Sequence, residues 1–136
     1  MNRFTKAKGF FIFFVVTVSL HSCEDSISHE ASIEQEVASI NKKCPQMLDE
    51  ETRLEKVVFT KPNLIKYDYS LVNLEKKNVD TAQFRIALWP GILSNIRVDK
   101  NLYELRKQGI HFQYRYFDKS KELIYTFKIS PDNYQP

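Results

Sequence analysis

Residues 110–130 read IHFQYRYFDKSKELIYTFKIS. Apolar and aromatic side chains recur at every second position: Ile110, Phe112, Tyr114 and Tyr116, then, past the polar DKSK, Leu123, Tyr125, Phe127 and Ile129. His111, Gln113 and Arg115 alternate with the first set, and Glu122, Thr126 and Lys128 with the second. Strict alternation puts successive side chains on opposite faces of a strand. Two such runs around a polar turn spell an antiparallel hairpin with one apolar face and one wet face.

The same signature occurs upstream. Thr52–Thr60 and Leu64–Asn73 read as strands joined by TKPN, with Pro62 at a favoured turn position. In the second of them Ile65, Tyr67, Tyr69 and Leu71 oppose Lys66, Asp68 and Ser70. Between the two hairpins, Asp80–Val98 is helical in pattern. Asp80 is placed to cap it, and Phe84, Leu88, Ile92 and Ile96 follow in steps of four. Pro90–Gly91 interrupts that pattern. Proline inside a helix costs about 3 kcal/mol or more, so the helix either kinks after Leu88 or restarts with Pro90 in its first turn. Asn101–Gln108 adds a short helix closed by Gly109. Ahead of the first hairpin, Ser32–Lys43 reads as a helix with Ser32 as cap and Ile33, Val37 and Ile40 as its stripe. Lys42 and Lys43 suit its negative end, and Pro45 stops it. The order α-β-β-α-β-β gives an α+β fold. The expectation is a two-layer sandwich, an antiparallel sheet made of two hairpins with the helices on one face.

The amino-terminal segment has a different character. Arg3, Lys6 and Lys8 precede Phe10–Leu20, an apolar run of eleven residues. A membrane-spanning helix needs about 20 residues. The core of an export signal needs roughly 7–15 behind a basic start. The stretch Leu20-His21-Ser22-Cys23 resembles the lipobox of bacterial lipoproteins, with His21 departing from the small residue usual there. That resemblance implies cleavage before Cys23, a diacylglyceryl group on its thiol and a palmitate-type chain on its amino group. Each buried methylene contributes about 0.8 kcal/mol; one chain binds marginally and two or three hold. An ordinary signal peptide cut after Ser19 is the alternative. Glu24 and Asp25, directly behind the cysteine, resemble the surface-export signals of Bacteroidota-type lipoproteins. In the sorting rule of the lipoproteins it resembles, aspartate directly after the cysteine retains the protein at the inner membrane; Glu24 in that place implies, by the resemblance, the outer membrane, on its periplasmic face or the cell surface. The expected organisation is a signal over 1–22, a tether over 23–31 and a single domain over 32–136. Extended, residues 24–30 reach roughly 25 Å.

All 17 acidic residues, but only 17 of the 20 basic ones, follow Ser22, so the chain from Cys23 onward is neutral. No basic stripe remains for a nucleic-acid backbone. The histidines, His21, His29 and His111, do not combine into a zinc site or a triad. The three glycines form neither a phosphate loop nor a dinucleotide fingerprint. Asp49, Glu50 and Glu51 read as a solvated turn. No catalytic residue, metal ligand or cofactor site is expected. Cys44 is expected as a small buried hydrophobe.

The richest candidates are Tyr67, Tyr69, Tyr114, Tyr116 and Tyr125, all on strand positions facing the helices, and Trp89 beside the helix interruption. Tyrosine packs through its ring and bonds through its hydroxyl. These residues either fill the core or line a cleft for a ligand. INKKCP, DEETRL, YDYSLVN and YRYFDKSKELIYTFKISPD resemble segments of an uncharacterised family of small exported bacterial proteins, a resemblance that supplies no site residues. The expected function is a lipid-anchored binding or scaffold module of the cell envelope. It would be held to the membrane through Cys23, with an envelope protein or glycan as partner. The alternatives are an enzyme acting on envelope sugars or peptides and an immunity-type inhibitor of an exported toxin.

Overall fold

The structure, a computed structural model, describes residues 24–135. The expected export signal and the expected lipidation site, Cys23, lie outside these residues. The chain forms α1 (Glu24–Asn41), β1 (Gln46–Met47), β2 (Thr52–Thr60), β3 (Leu64–Leu71), α2 (Thr81–Val98), α3 (Tyr103–Lys107), β4 (His111–Phe117), β5 (Leu123–Ile129) and α4 (Pro131–Tyr134). Single 3-10 turns at Lys76–Asn78 and Lys100–Leu102 precede α2 and α3.

The five strands lie in the order β1-β2-β3-β4-β5. Both hairpins form as the alternation predicts, β2 with β3 and β4 with β5. Where they join, however, β3 and β4 run parallel, with Leu64 opposite His111 and Ser70 opposite Phe117. The sheet is therefore mixed and not wholly antiparallel. The reason is the crossover: α2 carries the chain from the end of β3 back to the start of β4, the kind of connection that parallel neighbours require.

Helices cover one face of this sheet. Ile33, Val37 and Ile40 of α1 and Phe84, Leu88, Ile92 and Ile96 of α2 pack against Val57, Ile65, Phe112, Phe127 and Ile129. Full burial of each large apolar side chain contributes about 1.5–3 kcal/mol. Asp80 caps α2 by accepting from the backbone N–H groups of Ala82 and Gln83 at 2.9 and 3.1 Å.

Local structure departs from the sequence expectation in three places. First, α1 begins at Glu24, so the stretch expected as an extended tether capped by Ser32 is helical. Residues 24–41 contain no glycine or proline to stop propagation. The turn Glu30–Glu34 is also held to the first hairpin by Lys61, whose Nζ lies 3.4 and 3.0 Å from the two carboxylates. Second, α2 is one helix that runs through Pro90. Pro90 has no N–H to give the carbonyl of Ile86. Ile86 is 58% exposed, so water reaches that side of the helix. Third, Glu55 and Ile124 are extra residues in the ladders, left without partners where the register shifts. The bulge turns Leu123 outward and buries Ile124, reversing the alternation expected there.

The two outer edges of the sheet differ. Along β2, the short β1 pairs with Arg53 and Leu54. Further along, Asn41 imitates a neighbouring strand: its Nδ2 donates to the Val57 carbonyl at 2.7 Å, and the Val57 N–H donates to its Oδ1 at 2.8 Å. Along β5 there is no further strand among the described residues. Among the described residues, no loop or helix backbone group bonds Leu123–Ile129.

Candidate functional site

Four of the five candidate tyrosines meet at the centre of the sheet. Tyr67 faces Tyr114 across the parallel pair, and Tyr69 faces Tyr116. Their rings interlock: Tyr67 meets Tyr114 edge-on at 5.1 Å, while Tyr69 stacks on Tyr116 at 5.1 Å and 22°. Tyr114 is only 7% exposed, and the other three pack half-buried against the same core. Burial pushes the Tyr67 and Tyr116 hydroxyls up to about 12. It raises Tyr69 and Tyr114 as well. All four hydroxyls stay protonated at neutral pH, and their rings work as packing.

The fifth tyrosine, Tyr125, and Trp89 sit elsewhere. They line a groove of about 550 Å³ between α2 and β5. The helix contributes Arg85, Ile86, Trp89 and Pro90; the strand contributes Tyr125, Thr126, Phe127 and Lys128. Trp89 stacks on Phe127 with ring centres 6.2 Å apart and planes 19° apart. Tyr125 meets the same ring at 4.8 Å and 62°. Phe127 belongs to the core, so the aromatic groove is anchored on a buried ring. Arg85 and Lys128 are exposed at its rim, and neither has an ion-pair partner among the described residues.

Sequence reasoning passed over Arg85, Ile86, Thr126 and Lys128. Ile86 carried a usable signal. It is a large apolar residue outside the Phe84–Leu88–Ile92–Ile96 stripe, one turn before a tryptophan that also falls off that stripe. The two cations carried none, because exposed basic residues on helices and strands are ordinary.

The remaining candidates are occupied structurally. Asp49 accepts from the Glu51 and Thr52 N–H groups at 2.8 and 2.7 Å, and the first of these bonds holds its carboxyl below its ordinary value. Asp68, 4% exposed, takes a bidentate bond from Arg115, with Nε and Nη2 each at 2.6 Å. Cys44 packs half-buried against the core, and burial raises its thiol, with Glu55 adding to the effect. His111 is exposed on the face away from the core. Among the described residues, no group of three His, Cys, Asp or Glu side chains is placed to hold a metal ion. Among the same residues, no helix is long and apolar enough to cross a membrane.

No curated protein matches the chain. Three solved structures are similar in fold. The pilotin EpsS of the Vibrio vulnificus type 2 secretion system superposes with a TM-score of 0.64 at 12% identity, over 83% of this chain and 97% of that one. A Pseudomonas aeruginosa protein described as a candidate secreted protein gives 0.61 at 9% identity, over 82% and 97%. The type 2 secretion pilotin AspS of Vibrio cholerae gives 0.60 at 9% identity, over 81% and 95%. At these identities the likeness is one of fold. By sequence, residues 28–125 match the profile of the domain of unknown function DUF8479, and the chain belongs to that family.

Proposed function

We propose that this chain is a lipid-anchored protein of the cell envelope that binds another envelope protein and catalyses no reaction. The observation that carries this reading is the fold shared with the pilotins of two Vibrio type 2 secretion systems, over 83% and 81% of this chain and 97% and 95% of theirs. Cys23 bears the lipid in this reading, in keeping with the LHSC stretch that ends the apolar run. The 18 residues of α1 follow it directly, a helix of about 27 Å at 1.5 Å per residue. The domain is thereby presented close to the outer membrane. Two features favour a protein partner over a sugar or a substrate. The rings of Tyr67, Tyr69, Tyr114 and Tyr116 pack into and against the core and do not line the groove. The groove beside Trp89 is lined by aromatic, apolar and cationic groups and has no carboxylate or amide side chain for sugar hydroxyls.

The test is metabolic labelling with a clickable palmitate analogue, followed by fractionation. The native chain is expected to label and to sediment with outer membranes, and Cys23→Ala to do neither. In mild detergent the native chain is expected to migrate in a complex with a second polypeptide. Membrane retention of Cys23→Ala in high salt would refute the anchor. Migration at the mass of the chain alone would refute the binding role.

A further inference from the structure

Among the described residues, the sheet covers part of one outer edge and leaves the other bare. β1 and the Asn41 amide occupy the outer side of β2. The outer side of β5, seven residues long, has no such cover among the described residues. An unpaired edge presents a row of N–H and C=O groups ready to pair with another chain. Beside this edge lies the aromatic groove, its volume of about 550 Å³ falling within the roughly 300–1,000 Å³ of ordinary ligand sites. Ile86, one of its walls, is more than half exposed. The rim charges are both positive and are not neutralised within the described residues.

We infer that β5 receives an extended peptide segment of a partner protein as a sixth strand, with the segment's apolar side chains entering the Trp89–Tyr125 groove and its acidic side chains meeting Arg85 and Lys128. Strand addition takes affinity from backbone hydrogen bonds and specificity from alternate side chains. Each half of that pattern has its counterpart here, the bare edge for the backbone and the groove for every second residue. A second copy of this chain is the wrong occupant, because it brings its own Arg85 and Lys128 against the same pair. A lipid headgroup answers the cations but cannot pair with the strand. The inference rests on the proposed role as a protein binder and names the surface and the chemistry of the partner.

Trp89 is the sole tryptophan of the chain, so its fluorescence reports the groove directly. The probe is a synthetic peptide of alternating valine and glutamate, added to the full-length lipidated chain in phosphatidylcholine vesicles. A saturable shift of the Trp89 emission is expected. N-methylation of alternate peptide amides, or replacement of glutamate by lysine, is expected to weaken binding by about tenfold or more, the scale of one good polar interaction. The exposed pair Arg85→Glu and Lys128→Glu together is expected to reverse the preference toward the lysine peptide without unfolding the domain. Equal binding of the N-methylated peptide, or no response to any peptide, overturns the inference. A response to phosphatidylglycerol vesicles in place of peptide overturns it in favour of lipid. In cells, a photo-crosslinking residue at Ile86 is expected to trap a second polypeptide. Adducts found only from His111, on the opposite face, overturn the inference and leave the proposed function standing; adducts from neither position overturn both.

Discussion

Asp118 opens the turn of the second hairpin and is 2% exposed. Its carboxylate accepts the Lys76 N–H at 3.0 Å, the Ser120 N–H at 2.8 Å, the Glu122 N–H at 2.9 Å and the Ser120 hydroxyl at 3.0 Å. These donors, the Lys76 amide foremost, bring its pKa down from 3.8 to about 2. A carboxyl depressed on folding contributes its full stability above its unfolded value and loses that contribution as pH falls through the folded one. Asp118→Asn should therefore melt below the parent at neutral pH. The gap should narrow as pH is taken from about 4 to about 2, where the parent's carboxylate is itself being neutralised. A gap constant across that range, read by calorimetry, would show that the charge does not matter. Tyr114 makes the packing counterpart: Tyr114→Ala should cost about 3–5 kcal/mol in urea unfolding, as large-to-small core changes do. Tyr125→Ala, at the groove, should cost visibly less. Alternation alone announced that Tyr114 points inward. It could not announce that Tyr114 is more deeply buried than Tyr125, because that depends on β4 being interior to the sheet and β5 lying at its edge.

The two edges of the sheet are the telling elements. Asn41 closes the β2 edge by bonding both backbone groups of Val57, which is 1% exposed. Asn41→Ala leaves a buried donor and acceptor unsatisfied, at a cost of about 1–3 kcal/mol. It also bares a strand edge, so light scattering should detect concentration-dependent association in the variant and not in the parent. If the variant stays monomeric and as stable as the parent, the clamp is incidental. Sequence reading reached the stripes of α1 and α2, the Asp80 cap and both hairpins, since each is written in local spacing. The Asn41 clamp was out of reach, because its partner lies 16 residues away and is brought there by the packing of α1 on the sheet. The continuity of α2 through Pro90 was equally hidden. Whether a helix tolerates the lost bond depends on whether the freed carbonyl meets water, and that is a property of the assembled surface.

At the scale of the whole molecule, the parallel pair β3–β4 holds two local units together. Asp68 and Arg115 stand opposite each other in its register and bridge it on the face away from the helices. Asp68 is buried and Arg115 is partly exposed, so Arg115→Ala leaves the Asp68 carboxylate with only Lys56 Nζ at 3.9 Å and should cost about 1–3 kcal/mol. Asp68→Leu combined with Arg115→Met should recover much of that loss in chemical denaturation. If the double variant is worse than the single, the pair contributes more than mutual neutralisation. The connection leaving β3 has a separate consequence. Residues 24–75 hold α1, β1 and the first hairpin, and residues 76–135 hold α2, α3, the second hairpin and α4. A cut in the chain before Lys76 would leave two fragments, each with half of an interface that only the other completes. Such fragments are natural halves of a split protein, able to report by reassembly whether two molecules fused to them have met.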